Sequence, residues 1–232
     1  MKAWIVVAVA LIALLGAVSH AQAVPVPVCQ TGSYTTYVSL GAGGCTIGDK
    51  TFSGFQFTLT NFAGAITVTP FLDNPNTAAV GDLGFGLSFL LTQSGAGERD
   101  IVLRYDVTAP GATIIGAHLG FAGAAEGTGT AAVTETLCPA GSPPPCLTRS
   151  LFVYQTETGG RNTDFLFLSP VQRLHVVKDI GVSVDSRGLA TISAVDQSFT
   201  QTAPEPATLL LLGSGLAGVG MFSRRRMRKQ SR

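Results

Sequence analysis

Hydrolytic chemistry needs a nucleophile held against a base, or two carboxyl groups held across a bond, and this chain offers few residues for either. Neither G-x-S-x-G nor H-E-x-x-H occurs. Of the three histidines, His20 lies within the first 23 residues, which are expected to be removed as a signal peptide. His118 and His175 remain, each within an apolar, strand-like run where a satisfied core or edge histidine is the plainer reading. Asp73, Asp82, Glu126, Glu135, Glu157 and Asp164 stand in or near expected loops. A glycosidase pair could be drawn from them, but spacing alone brings no two together. Asp73 to Asn76, "DNPN", offers oxygen ligands to calcium but reads as a turn.

The four cysteines are Cys29, Cys45, Cys138 and Cys146. No histidine lies near them and the spacing does not suit zinc, so they read as disulfides of an exported chain. Three pairings are possible. Sequence proximity favours Cys29 with Cys45 and Cys138 with Cys146, the second closing the loop "CPAGSPPPC". Each small loop is worth roughly 2–3 kcal/mol. Thr-x-Thr pairs at Thr58 and Thr60, Thr67 and Thr69, and Thr134 and Thr136 are unevenly spaced, unlike a regular ice-binding array, and solvent-facing strand threonines account for them. No catalytic residue, metal site or cofactor is assigned.

The elements that must carry these residues are strands. Phe85, Leu87, Phe89 and Leu91 fall on one face of a strand over Gly84–Thr92, because successive side chains alternate between faces. Phe55, Phe57 and Leu59 repeat the pattern, as do Ile101, Leu103, Tyr105 and Val107, with Arg104 and Asp106 opposite. Further strands are expected over Tyr34–Leu40, Ala65–Thr69, Thr113–Phe121, Ala131–Leu137, Leu151–Thr156, Asp164–Leu168, Val176–Val184 and Ala190–Phe199. The fold class is therefore all-β. A single β-sandwich, jelly-roll-like, is the expected body, and the lack of a fixed internal repeat argues against a β-helix.

The two ends are of another kind. Lys2 precedes an apolar run from Ala3 to Val18, and Ala21-Gln22-Ala23 puts small residues where signal peptidase reads them. Residues 1–23 are thus expected to be a helical signal peptide, leaving Val24 as the mature N-terminus. At the other end come Pro204-Glu205-Pro206, an apolar stretch over 207–222 and a basic tail over 224–232. Sixteen helical residues span about 24 Å, against roughly 30 Å of hydrocarbon. Snorkelling arginines close the gap, and the positive-inside rule keeps them cytoplasmic. Gly213, Gly215 and Gly218 form a formal G-x-G-x-x-G, but no strand precedes it, so a dinucleotide fingerprint is rejected.

This tripartite tail resembles the PEP-CTERM sorting signal, with Pro204, Glu205 and Pro206 as the motif and Arg224, Arg225 and Arg226 leading the basic cluster. The same tail also goes under the name ice-binding protein C-terminal domain, which describes the tail and carries nothing about ice. The stretch from Cys29 to Thr58, with "GAGGCTIGDKTFSGFQF", resembles a segment common in such proteins, Cys29 and Cys45 bracketing its first strand. The resemblance implies processing by signal peptidase and an exosortase, transient residence in the inner membrane of a Gram-negative bacterium, and delivery to the cell surface, outer envelope or extracellular matrix. It further implies a non-enzymatic protein associated with exopolysaccharide or biofilm.

Charge agrees with export. The formal charge of the 232 residues is +1, but six of the fifteen basic residues lie in the last nine positions. Over 24–203, the expected body, eight Lys and Arg face thirteen Asp and Glu, a net charge of −5 that disfavours a nucleic-acid partner. A carbohydrate-binding module is the alternative function, with Tyr34, Tyr37, Tyr105 and Tyr154 as the tyrosines available for stacking, since Trp4 leaves with the signal. A secreted glycosidase or esterase comes third.

Overall fold

The computed structural model describes residues 25–72, 82–139 and 149–202. The helices expected over 1–23 and 207–222 lie outside them. Among the described residues, no helix is long and apolar enough to cross a membrane.

The chain runs β1 (Gly32–Ser33), α1 (Tyr34–Ser39), β2 (Cys45–Ile47), β3 (Lys50–Thr60), β4 (Thr67–Phe71), β5 (Leu83–Ser94), β6 (Gly97–Thr108), β7 (Ile114–Pro139), β8 (Ser150–Thr156), β9 (Gly159–Arg161), β10 (Thr163–Val171) and β11 (Arg173–Gln201). Every ladder between these strands is antiparallel. Two pairs of strands expected to be separate are each continuous. Thr113–Phe121 and Ala131–Leu137 fall within β7, and Val176–Val184 and Ala190–Phe199 within β11.

β7 and β11 pair with each other along nearly their whole length, interrupted in register between Val184 and Gly188. That interruption is a fold line. On one side of it, β11 pairs with β6 through Arg173–Val184; on the other it pairs with β5 through Leu189–Phe199. One hydrogen-bonded sheet is thereby curled into two facing halves. The first half has the order β1-β4-β5-β11-β7-β10, and the second β2-β3-β6-β11-β7-β8-β9. The sandwich expectation holds in its coarser form: the fold is all-β with two facing layers, but they belong to one curled sheet rather than to two sheets joined jelly-roll fashion.

The chain turns this sharply because the fold line is built on glycine. Gly127 has φ +61° and Gly188 φ +149°, and a Cβ at Gly188 would stand 2.1 Å from the Glu126 carbonyl oxygen. Neither the backbone angle nor the close approach suits a side chain.

The core lies between the halves. Phe52 on β3 and Tyr105 on β6 meet Phe85 on β5 from the opposite half, with ring centroids 5.5 and 5.1 Å apart. Ile101, Leu103, Val176 and Ile180 are fully buried in the alternating pattern read from the sequence.

One expected strand is a helix. Tyr34–Ser39 forms α1, whose N-cap Ser33 accepts a hydrogen bond from the Thr36 amide at 3.2 Å. Tyr34 and Tyr37, three apart and therefore on one helical face, are the two residues it buries. Tyr34 packs edge-on to Phe55 and Phe57, and its hydroxyl donates to the Arg104 carbonyl at 3.3 Å. Tertiary contacts thus overrule the β preference of "YTTYVS". Cys29 and Cys45, expected to bracket a strand, form a disulfide around β1 and α1, with Cα atoms 4.9 Å apart.

Candidate functional site

The outer face of the second half carries a trough of about 470 Å³. Register builds it. In one row across the strands, Thr60 of β3 pairs with Asp100 of β6, Asp100 with Gly181 of β11, Gly181 with Ala132 of β7, and Ala132 with Tyr154 of β8. In the next row Thr58, Val102, Asp179, Thr134 and Phe152 stand side by side. Gly181 and Ala132 keep the floor low, because paired residues of neighbouring strands share one face.

The lining of the trough and the strand β8 beside it differ in chemistry. On β8, Phe152 and Tyr154 are two residues apart, so both rings face outward. They stack with centroids 5.4 Å apart and planes 18° from parallel. Two and three strand spacings away, about 10 and 14 Å, Asp179 of β11 and Asp100 of β6 form a carboxyl pair. Burial pushes the Asp100 carboxyl up to about 7, with a hydrogen bond to Asp179 and the charges of Asp179 and Glu98 adding to the rise. The Asp100 carboxyl is therefore partly protonated near neutral pH, and its protonated form can donate a hydrogen bond as well as accept one. Thr60, Thr130, Thr134 and Ser183 add hydroxyls to the lining.

The residues singled out from the sequence are scattered. His175 lies further along the same outer face, its Nδ1 3.0 Å from Asp106 Oδ1, while Arg173 donates to Asp106 Oδ2 at 2.7 Å. His118 is buried in the other half, 4.0 Å from Asp196, and burial lowers its pKa against the pull of that carboxylate. Asp82 is buried and accepts from the Thr200 hydroxyl at 2.8 Å. Asp164 pairs with Arg161 and accepts from the Phe152 amide at 2.8 Å. Glu126 and Glu157 are exposed. Glu135, read as a loop carboxylate, points into the core from β7 and is fully buried.

Asp73 and the rest of "DNPN" lie outside the described residues, as do Ala21, Ala23, Cys146, Pro204, Glu205, Pro206, Arg224, Arg225 and Arg226. Cys138 is disulfide-bonded. Among the described residues no cluster of His, Cys, Asp and Glu is arranged to hold a metal ion.

Tyr34, Tyr37 and Tyr105 are core residues, which leaves Tyr154 as the tyrosine placed for stacking. Its partner Phe152 and the Asp100–Asp179 pair escaped the sequence reading. All three sit on the polar or exposed phase of their strands, and only register brings them to one outer face.

The trough thus belongs to an all-β body with an aromatic and carboxyl surface of the kind that can hold hydroxylated ligands. Residues 202–226 match the PEP-CTERM protein-sorting motif, in agreement with the resemblance of the tail. No curated protein matches the chain. Solved structures similar to parts of it include the following three. They are TmCBM61 in complex with β-1,4-galactotriose (14% identity, 63% of this chain and 88% of that one, TM-score 0.32), the bacteriophage CBA120 tailspike protein 4 enzymatically active domain (20%, 71% and 21%, TM-score 0.27) and the family 11 carbohydrate-binding module from Clostridium thermocellum in complex with a β-1,3-1,4-mixed-linked tetrasaccharide (7%, 65% and 89%, TM-score 0.25). Likenesses at these TM-scores carry no argument about ligand or activity.

Proposed function

We propose that this is an exported, non-enzymatic surface or matrix protein, carried out of the cytoplasm by its signal peptide and sorted by an exosortase. The observation that carries this reading is the sorting motif at 202–226. The body leads directly into it: β11 ends at Gln201, and the Thr202 amide donates to the Thr113 carbonyl at 2.9 Å. The test is to express the full chain in hosts with and without an exosortase and to map both termini of the product. A product that starts at Val24 and ends near Pro204–Pro206 only when the enzyme is present supports the reading. An uncut tail in both hosts would overturn it.

A second reading concerns what the body does outside the cell. The stacked Phe152 and Tyr154, on the same outer face as the Asp100–Asp179 carboxyl pair, favour glycan binding: the rings supply an apolar platform for sugar faces and the carboxyl pair bonds hydroxyl groups. Hydrogen-bonded to each other, Asp100 and Asp179 stand too close to flank a glycosidic bond, which needs carboxyl groups roughly 5–9.5 Å apart. That geometry supports binding rather than hydrolysis. Titration with the exopolysaccharide of the producing cell should give binding that weakens at least tenfold, about 1.4 kcal/mol, in the Phe152→Ala, Tyr154→Ala double variant. Equal binding by wild type and variant would remove the trough from the account.

A further inference from the structure

Between the two halves of the sheet, away from the trough, three polar side chains meet among apolar core residues. Lys178 and Glu135, paired in register on β11 and β7, point inward from the second half, and Gln197 points inward from the first. All three are fully buried. The Lys178 amine donates to a Glu135 carboxyl oxygen and, at 2.7 Å, to Gln197 Oε1. The other Glu135 oxygen has no hydrogen-bond partner among the described residues. Lys178 and Gln197 lie on the same strand, on either side of the fold line, so they face each other across the core.

We propose that Lys178 and Gln197 are the reactants of an autocatalytic isopeptide cross-link, with Glu135 as the acid–base catalyst. The Lys178 amine, bonded to Oε1, is one atom removed from the Gln197 carbonyl carbon it would attack. The lone pair of Nζ adds to Cδ while Glu135 protonates Oε1. Glu135 then takes a proton from Nζ and passes it to Nε2, and as the tetrahedral centre collapses it takes back the proton it had given to Oε1. The Nζ–Cδ bond forms, the Cδ–Nε2 bond breaks, ammonia leaves, and Glu135 ends as it began. No oxidant, reductant or co-reactant is needed.

The surroundings favour the reactive protonation states. Burial lowers the Lys178 pKa and raises that of Glu135, each against the pull of its partner, and both shifts favour the neutral amine that attack requires. Leu103, Val176, Ile180, Leu119 and Phe199 wall the site, all fully buried, and exclude water that would compete for the carbonyl. The product would covalently join the two halves of the sheet, a function suited to a chain exposed outside the cell.

The test is peptide mapping of the purified, reduced full chain. The expected result is a tryptic species in which Leu174–Arg187 stays uncut at Lys178 and is joined to the peptide beginning at Gly188, lighter than the sum of the two free peptides by one ammonia. Glu135→Gln should leave the two peptides unlinked while circular dichroism reports the wild-type sheet. Free Leu174–Lys178 in the wild-type digest, at its unmodified mass, would overturn the proposal without recourse to any variant. A link from Lys178 to the Glu135 peptide with loss of water would overturn the assignment of Gln197. A link that forms equally in Glu135→Gln would overturn the catalytic role.

Discussion

Asp100 shows how a residue acquires chemistry from its neighbours. Its carboxyl titrates at about 7 rather than 3.8 because it is partly desolvated and hydrogen-bonded to Asp179. The folded state therefore binds a proton more tightly than the unfolded chain. The corresponding stability is fully present below 3.8 and is lost as pH rises through about 7. The thermal midpoint should fall between about pH 5 and pH 8, by an amount that solvent screening of this partly exposed group keeps small. Asp100→Asn removes the titrating proton, so its midpoint should exceed that of wild type at about pH 8 and vary less across the range. The same pH slope in both proteins, measured by calorimetry, would remove Asp100 from this role.

At the scale of elements, β7 and β11 do what two pairs of shorter strands were expected to do, and glycine makes the difference. Gly188 has a backbone angle that suits few side chains and lies against the Glu126 carbonyl. Gly188→Ala should destabilise the body by about 1–3 kcal/mol from backbone strain, with the steric conflict adding to it. Chemical denaturation of the purified variant measures the loss, and a wild-type midpoint would show that the fold line tolerates a side chain. Helix α1 teaches the reverse lesson. Its β-branched and aromatic residues favour a strand, yet the Ser33 cap and the burial of Tyr34 and Tyr37 decide for a helix.

For the whole molecule, β11 is the strand shared by both halves, pairing with β5, β6 and β7. Its partners lie far back in the chain, so the sheet cannot close until the last strand is available, and folding of such non-local topologies takes milliseconds to seconds. A chain ending before Arg173 should show no protected core in limited proteolysis, whereas one ending at Thr202 should resist cleavage. A protected fragment from the shorter chain would show that one half folds alone. The strand that completes the body immediately precedes the sorting motif, so a chain whose motif is cut has already emerged as a whole body.

Composition and local pattern by themselves determined the all-β class, the inward phase of β5 and β6, and the sorting tail, because each rests on residues close together in the chain. The burial of Glu135 was also legible: it keeps the phase of Ala131, Val133 and Leu137, as Lys178 does with Val176 and Ile180, and Gln197 with Val195 and Phe199. What alternation cannot state is which strand lies opposite. Only the tertiary structure brought Asp100 to Asp179, set Phe152 and Tyr154 on the same outer face, and turned Lys178 towards Gln197. The physical reason is that register and the fold line are set by pairing between distant segments, where one residue of slip would send every side chain to the other face.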